Sequence, residues 1–182
     1  MNSIKEVITE YSPKLKKAIN APNSSLYLKL NKEMEEQMSK VINAENEIVK
    51  YYREGIQTGD WRNKTEWELA TIVHPSDRYF KYFLRILKTD DNTYPHWFIL
   101  DILAFMPTQL RPSAANIIKR AIDSNNPSWS NDDLKKAFEA LIWIGEEDDI
   151  QFIQQKCQSK YRTIANMAKY WVNWLNDDGE DE

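Results

Sequence analysis

Apolar residues recur at three- and four-residue steps along most of this chain. Ile4, Val7, Ile8, Tyr11, Leu15, Ala18 and Ile19 define one face of a first helix, the spacing that a 3.6-residue period requires. Pro13 interrupts that run and predicts a kink or a split. Ala21, Pro22 and Asn23 read as a loop, with Ser24 or Ser25 placed to cap the next helix. A second apolar line passes through Leu30, Met34, Met38, Val41, Ile42, Ile48, Val49 and Tyr52, with Lys and Glu between. It predicts a long amphipathic segment over 26–54, broken near Asn43 and ended by Gly55 and Gly59.

From residue 60 the rhythm shortens. Helices are predicted over 65–73, 76–88, 94–106, 110–123, 131–144, 147–158 and 160–175, with Pro75, Pro95, Pro107, Pro112 and Pro127 near the joints. Ser76 before Asp77, Thr93 before Tyr94-Pro95, and Ser130 before Asn131-Asp132-Asp133 read as caps. Strand-like alternation is scarce, so the fold class is all-α. Four nine-residue blocks align, at 66–74, 98–106, 137–145 and 168–176, and their fifth, seventh and eighth positions are apolar throughout. In the third block those positions are Leu141, Trp143 and Ile144, and in the fourth Val172, Trp174 and Leu175. The pattern predicts repeated helix pairs with Trp143 and Trp174 in the core. Trp171 and Trp174, three residues apart, are expected to form a stacked pair.

Composition narrows the chemistry. A chain of 182 residues suits one domain: a helical cap over 1–56, helix pairs over 60–176 and a disordered acidic tail over 177–182. Four glycines are too few for a Gly-rich phosphate loop. The one cysteine, Cys157, excludes an internal disulfide or a Cys-based zinc site. It reads as a small buried hydrophobe rather than a nucleophile. The two histidines, His74 and His96, lack metal-ligand spacing. No catalytic residue, metal or cofactor is therefore expected. Glu33 and Glu36, beside Lys29, Lys32 and Lys40, read as a solvated helix face. Residues 1–11 lack the pattern of a signal peptide, and no apolar stretch reaches membrane-spanning length. A cytoplasmic location is the expectation, and a free thiol agrees with it.

The net charge of −4 is unevenly placed. Residues 1–56 and 57–124 each carry 9 basic and 8 acidic side chains, whereas 125–182 carry 6 and 12. Within that last third, Glu146, Glu147, Asp148 and Asp149 stand in succession, followed by Gln151, Gln154 and Gln155. Acidic residues in a first turn complement the helix dipole, but four exceed what one cap needs. The run reads as a negative knob for a basic partner, with Gln151 and Gln155 extending it. Trp61 and Trp129 fall in predicted loops. They are either exposed binding anchors or covers over the end of the core.

The stretch Ala137-Phe138-Glu139-Ala140-Leu141-Ile142-Trp143-Ile144-Gly145, then Glu146-Glu147-Asp148-Asp149-Ile150, resembles a HEAT-type repeat of the short bacterial kind. Tyr161-Arg162-Thr163-Ile164-Ala165 resembles the opening of the next repeat. The resemblance is good over 131–176, poorer over 65–123 and absent over 1–56. It implies a right-handed α-α superhelix of HEAT-like pairs, with Gly145 turning left-handed after the first helix. It also implies binding of another macromolecule along one surface. The chain is also similar, in size and acidity, to bacterial toxin-immunity proteins. The leading reading is a non-enzymatic protein-binding module, most concretely an immunity protein that neutralises a basic toxin domain such as a nuclease. Its binding residues would be Glu146, Glu147, Asp148, Asp149, Gln151, Gln155, Trp129 and Trp61. The alternative is a HEAT-like nucleic-acid-binding or DNA-repair-type protein. It would use Arg78, Lys81, Arg85, Lys119 and Arg120, with Trp97 and Asp101 at i,i+4. Reversing Glu147 and Asp149 to Lys is expected to weaken partner capture and leave folding intact.

Overall fold

The computed structural model describes residues 3–19, 24–89 and 96–177. The expected loop at Ala21, Pro22 and Asn23, the expected cap at Thr93 and the tail beyond Asp177 lie outside the described residues. These are all-α: ten α-helices and two short 3-10 turns, with no strand among them. The helices are α1 (Ile4–Ile19), α2 (Ser24–Met38), α3 (Ala44–Thr58), α4 (Lys64–Val73), α5 (Asp77–Leu87), α6 (His96–Ile102), α7 (Arg111–Ser124), α8 (Asn131–Ile144), α9 (Glu147–Lys156) and α10 (Arg162–Asp177). Pro13 is accommodated inside α1 without ending it. The long second segment does break where expected, because Asn43 takes a left-handed conformation at φ 69° ahead of α3. Gly59, also at φ 69°, ends α3. Gly55 lies within α3, buried against the ring of Trp61.

The chain divides inside α5 into two compact units, Met1–Tyr79 and Phe80–Glu182. Helix α4 packs with α1, α2 and α3 in the first unit. In the first unit Ile4, Val7, Leu15, Met34, Met38, Ile48 and Tyr52 are fully buried. A polar thread crosses this core. The Thr71 hydroxyl donates to the Trp67 carbonyl at 2.8 Å. It has one hydrogen, so Tyr52, 3.1 Å away, must donate to it. The Tyr79 hydroxyl sits between the carbonyls of Thr71 and His74 at the end of α4. Burial pushes the Tyr52 and Tyr79 phenols well above their usual range, so both stay neutral donors. Ser76 accepts from the Arg78 N–H at 3.2 Å, the cap that its position predicted, and its hydroxyl donates to Glu45.

In the second unit alternate helices run parallel. The Trp97 N–H of α6 meets Asp133 of α8 at 2.5 Å, and one turn on Asp101 meets Lys136 at 2.6 Å. Both contacts advance in the same direction along α6 and α8. The same holds for α7 and α9, where Lys119 pairs with Asp149 at 2.5 Å and Asp123 pairs with Lys156. Helices α7 and α9 each pack on α8, and α10 packs on both α8 and α9. Phe98, Ile118, Phe138, Leu141 and Ile153 fill the centre.

Asp133 links the two levels of this organisation. Its carboxylate accepts from the N–H and hydroxyl of Ser130, both at 2.7 Å, while the Ser130 hydroxyl accepts from the Asp133 N–H at 3.1 Å. That reciprocal box caps α8, and the second carboxylate oxygen holds the start of α6. Asp133 is 5% exposed, so removing it strands several donors away from water. Asp133→Ala is expected to cost about 2–4 kcal/mol of stability, measured as the urea midpoint followed by circular dichroism.

Candidate binding surface

Helix α9 carries the acidic run, and its start is set by a tight turn after α8. Gly145 takes φ −78° and ψ 164°, extended rather than left-handed as expected. Glycine is needed there for space. A Cβ would collide with the Leu141 carbonyl and the Asp149 side chain. Asp149 then folds back, its carboxylate accepting from the Glu146 N–H at 3.0 Å and binding Lys119 at 2.5 Å. It is 7% exposed. Asp149 is therefore a structural carboxylate and not part of a knob. This corrects the expectation that its reversal to Lys would leave folding intact.

The other three acids differ in kind. Glu146, Glu147 and Asp148 are exposed, and no ion pair joins them to any of the described residues. Gln151, Gln154 and Gln155 are exposed on the same helix. Steps of four place Glu147, Gln151 and Gln155 along one stripe, while Asp149 and Ile153 face inward. A small cavity of about 140 Å³ opens between the starts of α7 and α9, bordered by Arg111, Asn116, Lys119, Glu146 and Asp148. Two of the basic residues beside the stripe are occupied, Lys119 by Asp149 and Lys156 by Asp123, whereas Arg111 forms no ion pair among the described residues.

The two tryptophans read as either anchors or covers are placed as follows. Trp129 is 5% exposed and stacks on His96, with ring centroids 5.3 Å apart and planes at 27°. The loop that carries it folds inward because Ser128, through its N–H and hydroxyl, bonds the Asn126 side chain. Trp61 is half-buried in the first unit, lying over Gly55 and edge-on to Tyr51 at 6.3 Å. Each acts as a cover over the core of its own unit. Trp171 and Trp174 meet edge-on at 77°, not stacked. Cys157, expected in the core, is half-buried at the end of α9.

Trp143 moves the other way. Expected in the core, it is 58% exposed. The buried face of α8 is Leu134, Ala137, Phe138, Leu141 and Ile144, and a residue two positions after Leu141 lies about 200° around the helix. Phase within the helix, rather than position in the aligned block, would have shown this. Below Trp143 on α8, Lys136 bridges Asp101 at 2.6 Å and Glu139 at 2.9 Å. Partial burial opposes the charge on that ammonium, and the two carboxylates more than restore it, raising its pKa. Trp97, Phe105 and Tyr170 are also exposed in this unit.

No family model matches this chain, and no curated protein or solved structure is significantly similar to it. Among the described residues no helix is long and apolar enough to cross a membrane. The contrast between the two indoles is open to measurement. Trp143→Ala is expected to leave the urea midpoint within about 0.5 kcal/mol, whereas Trp129→Ala is expected to cost about 3–5 kcal/mol.

Proposed function

We propose that this chain is a non-enzymatic protein-binding module, and that the second unit is built from HEAT-like helix pairs. The parallel pairings of α6 with α8 and α7 with α9 support that repeat reading. The partner in this reading is a basic protein domain, and the most concrete version is an immunity protein that occludes a toxin such as a nuclease. One observation carries it: Glu146, Glu147 and Asp148 are exposed without ion pairs among the described residues, while Lys119 and Lys156 nearby are already neutralised. Uncompensated charge on an exposed stripe accelerates encounter with an oppositely charged surface. The exposed glutamines extend the stripe with groups that both donate and accept.

The nucleic-acid alternative draws less support. Of its expected basic line, Arg78 pairs with Glu45 at 3.8 Å and Lys119 with Asp149. Asp101, one half of the expected Trp97 and Asp101 pair, is held by Lys136. A phosphate backbone needs a continuous cationic stripe, and two of the five expected cations already have anionic neighbours.

The test uses the basic product of a reading frame adjacent to this chain's gene, mixed with the full chain and followed by calorimetry. Binding is expected, and Glu147→Lys with Asp148→Lys is expected to weaken it by about 10–100-fold at low salt. The same pair should leave the fold intact, with a stability loss limited to about 1–2 kcal/mol from the helix-dipole interaction, since neither side chain is buried. Affinity untouched by that reversal overturns the acidic-stripe reading. A gel shift of duplex DNA or RNA at low salt would favour the alternative.

A further inference from the structure

We propose that a cavity in the first unit, between α1 and the start of α4, binds a small heteroaromatic acid with a ring N–H. The cavity holds about 310 Å³, within the range of small-molecule sites. It is independent of the acidic stripe, and the proposal goes beyond the protein-binding reading.

Four features of the cavity select the ligand. The first is a backbone acceptor. Pro13 has no N–H, so the Thr9 carbonyl four residues earlier lacks its helical donor. Thr9 and Pro13 both line the cavity. The second is a hydroxyl. Ser12 also lines it and is 3% exposed. A hydroxyl in the cavity wall can donate to or accept from a bound ligand.

The third feature is a flat wall. Trp67 borders the cavity, and Tyr51 stacks on it with centroids 4.7 Å apart and planes at 10°. The Tyr51 hydroxyl is itself anchored on the Arg62 carbonyl at 3.1 Å. The indole plane is thereby fixed, and with Ile8 and the Pro13 ring it makes an apolar slot suited to an aromatic body. The fourth is charge. Lys16 and Glu66 border the cavity and neutralise each other at 2.7 Å. The Lys16 ammonium holds the Glu66 carboxyl below its usual range. Lys5, also at the border, forms no ion pair among the described residues. One uncompensated cation selects an anion over a neutral or cationic relative.

Indole-3-acetate is the probe, titrated into the full chain by calorimetry and by proton–nitrogen correlation spectra. Saturable binding that shifts the Trp67 indole signal is expected. Indole, which lacks the carboxylate, and tryptamine, which carries a cation, are expected to bind at least about tenfold more weakly. Lys5→Glu lies on an exposed position and is expected to weaken the probe at least about tenfold with an unchanged fold. Ser12→Met, which fills the cavity, is expected to abolish binding. Should that variant fail to fold, Lys5→Glu still decides. No shift at Trp67 with about 10 mM probe, equal binding of tryptamine, or indifference to Lys5→Glu would overturn the proposal.

Discussion

Two buried carboxylates organise the second unit. Asp133 and Asp149 each occupy the third residue of a helix, and each accepts the backbone N–H of the residue just before that helix. Each also reaches sideways, Asp133 to the start of α6 and Asp149 to Lys119 on α7. One side chain thus serves local and tertiary structure at once. A helix that begins elsewhere would lose its cap and its lateral partner together. Such coupling makes the helix starts cooperative with the layering. The first unit solves the same problem with hydroxyls, through the Tyr52, Thr71 and Tyr79 thread.

The acids of the second unit consequently fall into two classes. Asp101, Asp123, Asp133 and Asp149 are spent on holding neighbouring helices. Glu146, Glu147 and Asp148 form no ion pair among the described residues and face water. Net charge alone does not separate these classes, because both contribute equally to it. Separation comes from helix phase: the inward residue of the run is the one that a short turn at Gly145 can bring back over its own N-terminus.

Much of the helical layout was legible because helix starts and stops have local chemistry. Ser130 with Asp133, Ser76 with Arg78 and the left-handed Asn43 are short-range events, visible in a few residues. Placement on a face was less legible. Alignment of the blocks predicts Trp143 in the core, while its own helix phase puts it outside. Trp129 falls in a predicted loop, and that loop, closed by Asn126 and Ser128, turns the indole onto His96. The Ser12 cavity gave no signal at all in sequence, since it depends on α4 meeting α1 across fifty residues. Asp149 was legible as acidic but not as buried, because its Lys119 partner is thirty residues away.

The two ion pairs between α7 and α9 have opposite polarity. Lysine comes from α7 at the first, Lys119 with Asp149, and from α9 at the second, Lys156 with Asp123. Sliding α9 forward by one turn would bring Asp149 abreast of Asp123, anion against anion, with Lys119 left behind. The seam is keyed, in the way an asymmetric plug enters its socket in one position only. Misaligned stacking of these helices is thus disfavoured by charge before any side chain in the interior has been tested for fit.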